Sequence, residues 1–121
     1  MTSPYLFRSD EDDEYYFQEG CHILERLNVA ADPAASVARA RVAPATTTRW
    51  HWLVGTTERY LIVAGQGFAE IGDAGGFDVG PGDVVLIPPG TRQRIRNTGQ
   101  QDLVFLAICT PRFDAQNYRE A

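Results

Sequence analysis

TTTRWHWLVGTTERYLIVAG, Thr46 to Gly65, places one of the chain's two histidines between two tryptophans and sets a glutamate seven residues further on. The runs RWHWLV and ERYLIVAG are strand-sized and rich in aromatic and branched residues, and the glycine between them marks a turn. Successive side chains of a strand point to opposite faces. Trp50 and Trp52 therefore share one face, and His51 and Leu53 the other. Glu58, Tyr60 and Ile62 share a face in the second run. The question is which of these faces is the inside.

The rest of the chain has the same grain. CHILERLNV, SVARARVAP, GFAEIG, FDVG, DVVLIPPG, QRIRNTG and DLVFLAICTP are further strand-sized runs. Asp32-Pro33, Gly65-Gln66-Gly67, Gly80-Pro81-Gly82, Pro88-Pro89-Gly90 and Asn97-Thr98-Gly99 separate them with turn residues, at spacings that predict an all-β sandwich or barrel. No segment carries a long helical period. At 121 residues the chain is read as one domain. Residues 1–16 form an acidic arm, 17–112 the barrel and 113–121 a tail. ADPAAS is the best internal linker. Within the tail, FDAQNYREA is expected to form a helical turn or an extended cap, with Asp114 as N-cap.

Charge narrows the function classes. The formal net charge is −5, and much of the acidity lies in one run, Asp10 to Glu14, read as a solvated charge run. The chain has no lysine, and its arginines do not cluster as a nucleic-acid surface requires. Arg39 and Arg41, like Arg94 and Arg96, alternate, which suits an outer sheet face pairing with carboxylates. No stretch reaches the roughly 18 apolar residues of a membrane span. The N-terminus does not resemble a signal peptide, so a cytoplasmic location is expected. Cys21 and Cys109 lack CxxC spacing and are expected to be reduced strand residues. His22 reads as a surface or packed strand residue.

Two glycine-anchored segments resemble the motifs of the cupin superfamily, G-x5-HxH-x4-E-x6-G and G-x5-PxG-x2-H-x3-N. The first runs from Ala45, at the leading glycine, through His51, Leu53 and Glu58 to Gly65. The second runs from Gly82 through Pro88-Pro89-Gly90 to Gln93 and Asn97. The resemblance covers about Val37 to Pro111 without an insertion. It implies a jelly-roll, or double-stranded β-helix, barrel of six to eight strands. It also implies that His51, Leu53, Glu58 and Gln93 face inward, with Tyr60, Ile62, Ile95 and Asn97 on the same faces. Trp50 and Trp52 then face outward and call for a cover. The segment Tyr15 to Phe17 or a second subunit is expected to supply it, and a homodimer fits the family.

Cupins usually hold a metal with three histidines and a glutamate. Here Leu53 and Gln93 replace two of those imidazoles, leaving His51, Glu58 and Gln93 as a weak set for a divalent ion completed by water. Without metal, the same residues suit acid–base work. His51 moves a proton, Glu58 orients or relays it, Gln93 binds a carbonyl or enolate oxygen, and Tyr60 is a further donor. The expected function is a small-molecule enzyme of proton-transfer type: isomerisation, dehydration or cyclisation of a carbonyl compound such as a sugar derivative or polyketide. The alternative is a non-catalytic module that has lost its metal and only binds a ligand. Asn97 is expected to be structural, because Asn-Thr-Gly reads as a turn.

Overall fold

A computed structural model describes residues 4–121. Its strands are β1 (Tyr15–Phe17), β2 (Cys21–Leu27), β3 (Ser36–Val42), β4 (His51–Leu53), β5 (Thr57–Ala64), β6 (Gly67–Ile71), β7 (Gly76–Val79), β8 (Val84–Ile87), β9 (Gln93–Asn97), β10 (Leu103–Thr110) and β11 (Tyr118–Glu120). They form two antiparallel sheets, ordered β1-β2-β3-β10-β5-β8 and β11-β4-β9-β6-β7. The two sheets are the jelly roll, with more and shorter strands than expected. No helix among the described residues is long and apolar enough to cross a membrane.

Period-two alternation fixes what lies inside. In SVARARV, Ala38 and Ala40 point inward while Arg39 and Arg41 point out, because β3 is paired on both sides and only one of its faces meets the opposite sheet. Register then aligns inward side chains in rows across the larger sheet. Ile23, Ala40, Phe105 and Ile62 make one row. Glu25, Ala38, Ala107 and Tyr60 make the next, and Ser36, Cys109, Glu58 and Ile87 the third. Ile62, Ile87, Ile95 and Leu103 are almost wholly buried, each stabilising the fold by about 1.5–3 kcal/mol. The small alanines of the middle row leave a space that larger side chains would have filled.

The outward arginines organise the N-terminal arm. Arg39 bonds Glu11 at 2.8 Å and Glu14 at 2.9 Å, while Arg41 bonds Glu14 at 2.6 Å and Asp102 at 3.0 Å. Hydrogen bonding from Arg41, opposed by burial and helped by Arg39, holds the Glu14 carboxyl down at about 2. Part of the acidic run is thus an ion-paired clamp on β3 rather than a solvated face. Leu24, on the outer side of β2, is buried, and the Ser9 hydroxyl bonds the Glu25 carbonyl next to it. His22 points outward, edge-on to Tyr16 and 4.0 Å from Glu14.

Trp50 and Trp52 do face outward, but the cover differs from expectation. The guanidinium groups of Arg92 and Arg94 lie 4.5 and 4.4 Å from the Trp50 ring centroid, and Arg119 stands opposite Trp52 in the β4–β11 register. The segment Tyr15–Phe17 pairs with β2 instead. At the C-terminus Asp114 caps a 3₁₀ turn over Ala115–Asn117, and β11 then adds to β4, so the tail forms both a turn and a strand.

Two motif positions show why glycine belongs there. Ala45, at the leading position of the first motif, has φ of 59°, in the left-handed region that glycine enters freely. Gly65 has φ of +87°, and a Cβ there would lie 2.6 Å from the Asp102 carbonyl oxygen. Asn97 is structural, donating to the Val42 and Gln101 carbonyls and accepting from the Gly99 amide. Gly65→Ala is expected to cost about 2–3 kcal/mol, through both the backbone and the clash. A melting temperature within a degree of the parent would contradict this packing.

Candidate functional site

A cavity of about 50 Å³ opens between the sheets, its wall including Glu19, Cys21, Glu25, His51, Glu58 and Tyr60. β4 and β5 deliver His51 and Glu58 from opposite sheets. His51 is 2% exposed and Glu58 9%. Leu53, at the second histidine position of the motif, lines the same space and packs with Cys109 and Tyr118. Phe17 meets Phe113 and Tyr118 edge-on, at centroid distances of 6.1 and 5.1 Å, and these three aromatics form one side of the cavity.

Both nitrogens of His51 are committed. Nδ1 lies 2.7 Å from the Arg49 carbonyl oxygen, and Nε2 lies 2.8 Å from Glu19 Oε2. A carbonyl can only accept, so Nδ1 carries a proton, and the shifts of the two partners toward their charged forms put the proton shared with Glu19 on Nε2, making the ring an imidazolium. Burial works against that charge. It is outweighed by the hydrogen bond and charge of Glu19, with the Arg49 carbonyl and the Glu58 charge adding, so the His51 pKa is raised. Glu19 responds in kind. Burial opposes its charge, but His51 and then the Cys21 thiol, 3.1 Å away, hold its pKa below the usual carboxylate range. Tyr118 stacks on the imidazole at 5.4 Å, placed there by the β11–β4 pairing.

Glu58 is in the opposite condition. Burial, then the charge of Glu19, pushes its pKa up to about 7, against the pull of His51, the Gln93 amide and the Cys109 thiol. Its Oε1 is buried with no hydrogen-bond partner among the described residues. Gln93, wholly buried and directly opposite His51 on β9, accepts a short hydrogen bond from the Tyr60 hydroxyl. It stands behind the cavity rather than on its wall. Burial raises the Tyr60 pKa well above normal, so its hydroxyl stays protonated.

The four expected residues therefore come together, but not as expected ligands. The imidazolium has no lone pair to give, and the Gln93 oxygen is occupied by Tyr60. Among the described residues no three His, Cys, Asp or Glu side chains are placed to hold a metal ion. In this arrangement the nitrogens of His51 are engaged by Arg49 and Glu19 and the Gln93 oxygen by Tyr60, so Glu58 is the one member of the expected set with a free oxygen. Sequence reasoning missed Glu19 and Tyr118. Glu19 lies in the turn between β1 and β2, two residues before Cys21, where strand alternation gives no phase and so no signal.

Glu58 binds its proton more tightly in the folded protein, where its pKa is about 7, than at its ordinary value of 4.5. Stability therefore falls as pH rises from about 4.5 to 7, and the full cost stands above that window. Glu58→Gln removes the penalty. The variant should be more stable than the parent by about 3 kcal/mol at pH 8, a difference fading to near zero below pH 4.5 in urea unfolding. Equal stability at pH 8 would contradict the buried carboxylate.

Comparison with known proteins agrees with this architecture. A family model described as a cupin domain matches residues 38–109. An uncharacterised protein of Methanocaldococcus jannaschii is 30% identical over 105 residues, covering 85% of this chain and 83% of that protein. A variant of Streptomyces Pac13 with uridine superposes at a TM-score of 0.80 and 22% identity, over 98% of this chain and 92% of that one. Pac13 is described as a nucleoside dehydratase in another structure, with a TM-score of 0.76, 22% identity and coverage of 95% and 90%. Lactobacillus farciminis oxalate decarboxylase in a formate complex has a TM-score of 0.76 at 19% identity, over 89% of this chain but 33% of that longer one. At 19–22% identity the structural likeness is one of fold. With the family model matching residues 38–109, more than half of the chain, the chain belongs to the cupin family.

Proposed function

We propose that the protein is a small-molecule enzyme whose barrel cavity performs proton transfer at a carbon next to a carbonyl, as an isomerase, dehydratase or cyclase does. One observation carries this reading. A buried carboxylate with a pKa near 7 and an unpaired oxygen shares its cavity with an imidazolium whose charge is held by a third side chain. A base poised at the working pH, next to fixed positive charge, is what abstraction of a weakly acidic proton requires.

The roles differ from those the sequence suggests. Glu58 takes the proton, because it alone among the expected residues is both unpaired and balanced between its two forms. His51 does not act as base, since its nitrogens are already protonated. Its charge stabilises the enolate that forms, and Glu19 keeps that charge in place. Tyr60, its own proton given to Gln93, offers an oxygen lone pair to a substrate hydroxyl, and Gln93 positions Tyr60. The likeness to Pac13, described as a nucleoside dehydratase, supports elimination as one member of this class, in which the proton taken by Glu58 returns to the departing hydroxyl and water leaves. The uridine bound to that protein belongs to it and does not define the substrate here.

Incubation with a panel of small hydroxy-aldehydes and hydroxy-ketones in D₂O, followed by proton NMR, tests the reading across the whole substrate class. At least one compound should exchange its α-proton faster than in buffer. The rate should rise with pH through a midpoint near 7, since the base must be deprotonated, and Glu58→Gln should abolish it with the fold intact. Exchange undiminished in Glu58→Gln would remove Glu58 from the chemistry. No exchange across the panel would favour a binding module.

A further inference from the structure

The cavity lies against one side of the sandwich. Its wall draws on β1, β2, β3, β5 and β10 of the larger sheet and on β4 and β11 of the smaller, and among the described residues none from β6, β7, β8 or β9 borders it. β1 and β11 are the outermost strands of their sheets, each paired with a single neighbour. The far side is filled instead, with Val79, Val85 and Ile95 packed as core. No backbone bond joins β1 to β11 among the described residues. Side chains close that gap: Phe17 of β1 meets Tyr118 of β11 edge-on at 5.1 Å and Phe113 at 6.1 Å.

The two banks of this seam are held differently. β1 is anchored at both ends. Glu14, just before it, is ion-paired to Arg39 and Arg41 on β3, and just after it the Glu19 carbonyl accepts from the Arg49 amide at 2.7 Å. On the other bank Phe113 is pinned, its amide donating to the Ser36 hydroxyl and its carbonyl accepting from the Asn28 amide. Beyond it come a 3₁₀ turn with no buried residue and the three residues of β11, of which only Tyr118 is buried. Pairing with β4 holds this stretch, extended by the Val54 amide donating to the Asn117 carbonyl. An edge strand with so little buried surface opens at far less cost than the whole fold.

The site requires such an opening. His51 is 2% exposed and Glu58 9%, and a cavity of about 50 Å³ holds a few non-hydrogen atoms, fewer than a sugar derivative has. We propose that Asp114 to Glu120 form a lid hinged at Phe113, and that the seam between Phe17 and Tyr118 is the entrance to the cavity. The proposal rests on the reading of the cavity as the reaction site and adds how that site is reached. Tyr118 gives the lid a second role. Its ring stacks on His51 at 5.4 Å, so closure lays an aromatic face on the imidazolium and keeps water from the ion pair with Glu19. Glu19 belongs to the anchored bank, so His51 keeps its partner while the lid is raised.

Cys21 and Cys109 report the opening. Both are buried on the cavity wall, and burial pushes both thiols up, so neither reacts until water reaches it. The full chain is treated with methyl methanethiosulfonate at pH 8, with labelling followed by mass spectrometry and backbone amide exchange by NMR, across urea concentrations below the unfolding transition. Labelling is expected to change less than about twofold over that range, because a local opening exposes little surface. The Val54 amide should exchange by the same urea-insensitive route, while β10 amides wait for global unfolding. Tyr118→Ala should speed labelling at least about tenfold, and Leu86→Ala, exposed on β8 at the far edge, should leave it unchanged. Thiols and a Val54 amide that respond to urea as steeply as global unfolding, or labelling of a folded Tyr118→Ala no faster than the parent, would overturn the proposal. The measurements on the parent stand even if Tyr118→Ala fails to fold. Labelling needs no substrate, so local opening without α-proton exchange would sink the catalytic reading alone, and α-proton exchange with thiols sealed until the protein unfolds would sink this one alone.

Discussion

The hydrogen bond between Glu19 and His51 sets the chemistry of the barrel. Without it, burial would strip the imidazole of its proton, and the Arg49 carbonyl would merely select a tautomer. With it, a buried ion pair stands at 2.8 Å inside a wall that is otherwise largely apolar. Such a pair is weak evidence of stability, since removing two charges from water costs about what their attraction returns. Its effect is electrostatic. It fixes a positive ring beside Glu58, while the charge of Glu19 adds to the burial that keeps Glu58 near 7.

The fold makes room for this arrangement by leaving volume out. A jelly roll of this size would normally fill its interior with branched side chains, yet the row between Glu25 and Tyr60 contains two alanines. Around that gap the structure keeps a carboxylate that weakens the protein at neutral pH and two oxygens without donors among the described residues. Groups of this kind persist where function needs them, and a more stable barrel would be easy to build by replacing them. The aromatic trio of Phe17, Phe113 and Tyr118 then shields the cavity with residues drawn from both ends of the chain.

Much of this was legible in the residues. Two glycine-anchored motifs in register identify the barrel, and alternation in SVARARV places arginines outside and alanines inside. The inward set His51, Glu58, Gln93 and Tyr60 follows from the cupin resemblance, with alternation extending it along each strand. What the sequence hid was non-local. Glu19 follows β1 in the turn that leads to β2, where a strand rule loses its phase, and its partner lies 32 positions away. Tyr118 reaches His51 only because the last strand returns to pair with β4. Gln93 carries the parity of a ligand, yet its oxygen belongs to Tyr60, a contact between opposite sheets that spacing does not reveal. Trp50 called for a cover, and two arginines on an adjacent strand and its lead-in provide it.

The charge on one ring is therefore the point on which the account turns, and long-range proton–nitrogen NMR of the His51 imidazole reads it directly. The account predicts protons on both ring nitrogens at pH 6.5 and a titration midpoint above 6.5, falling when Glu19 is replaced by glutamine. A neutral His51 ring at that pH, with a midpoint below 6.5 as burial alone would give, would contradict it.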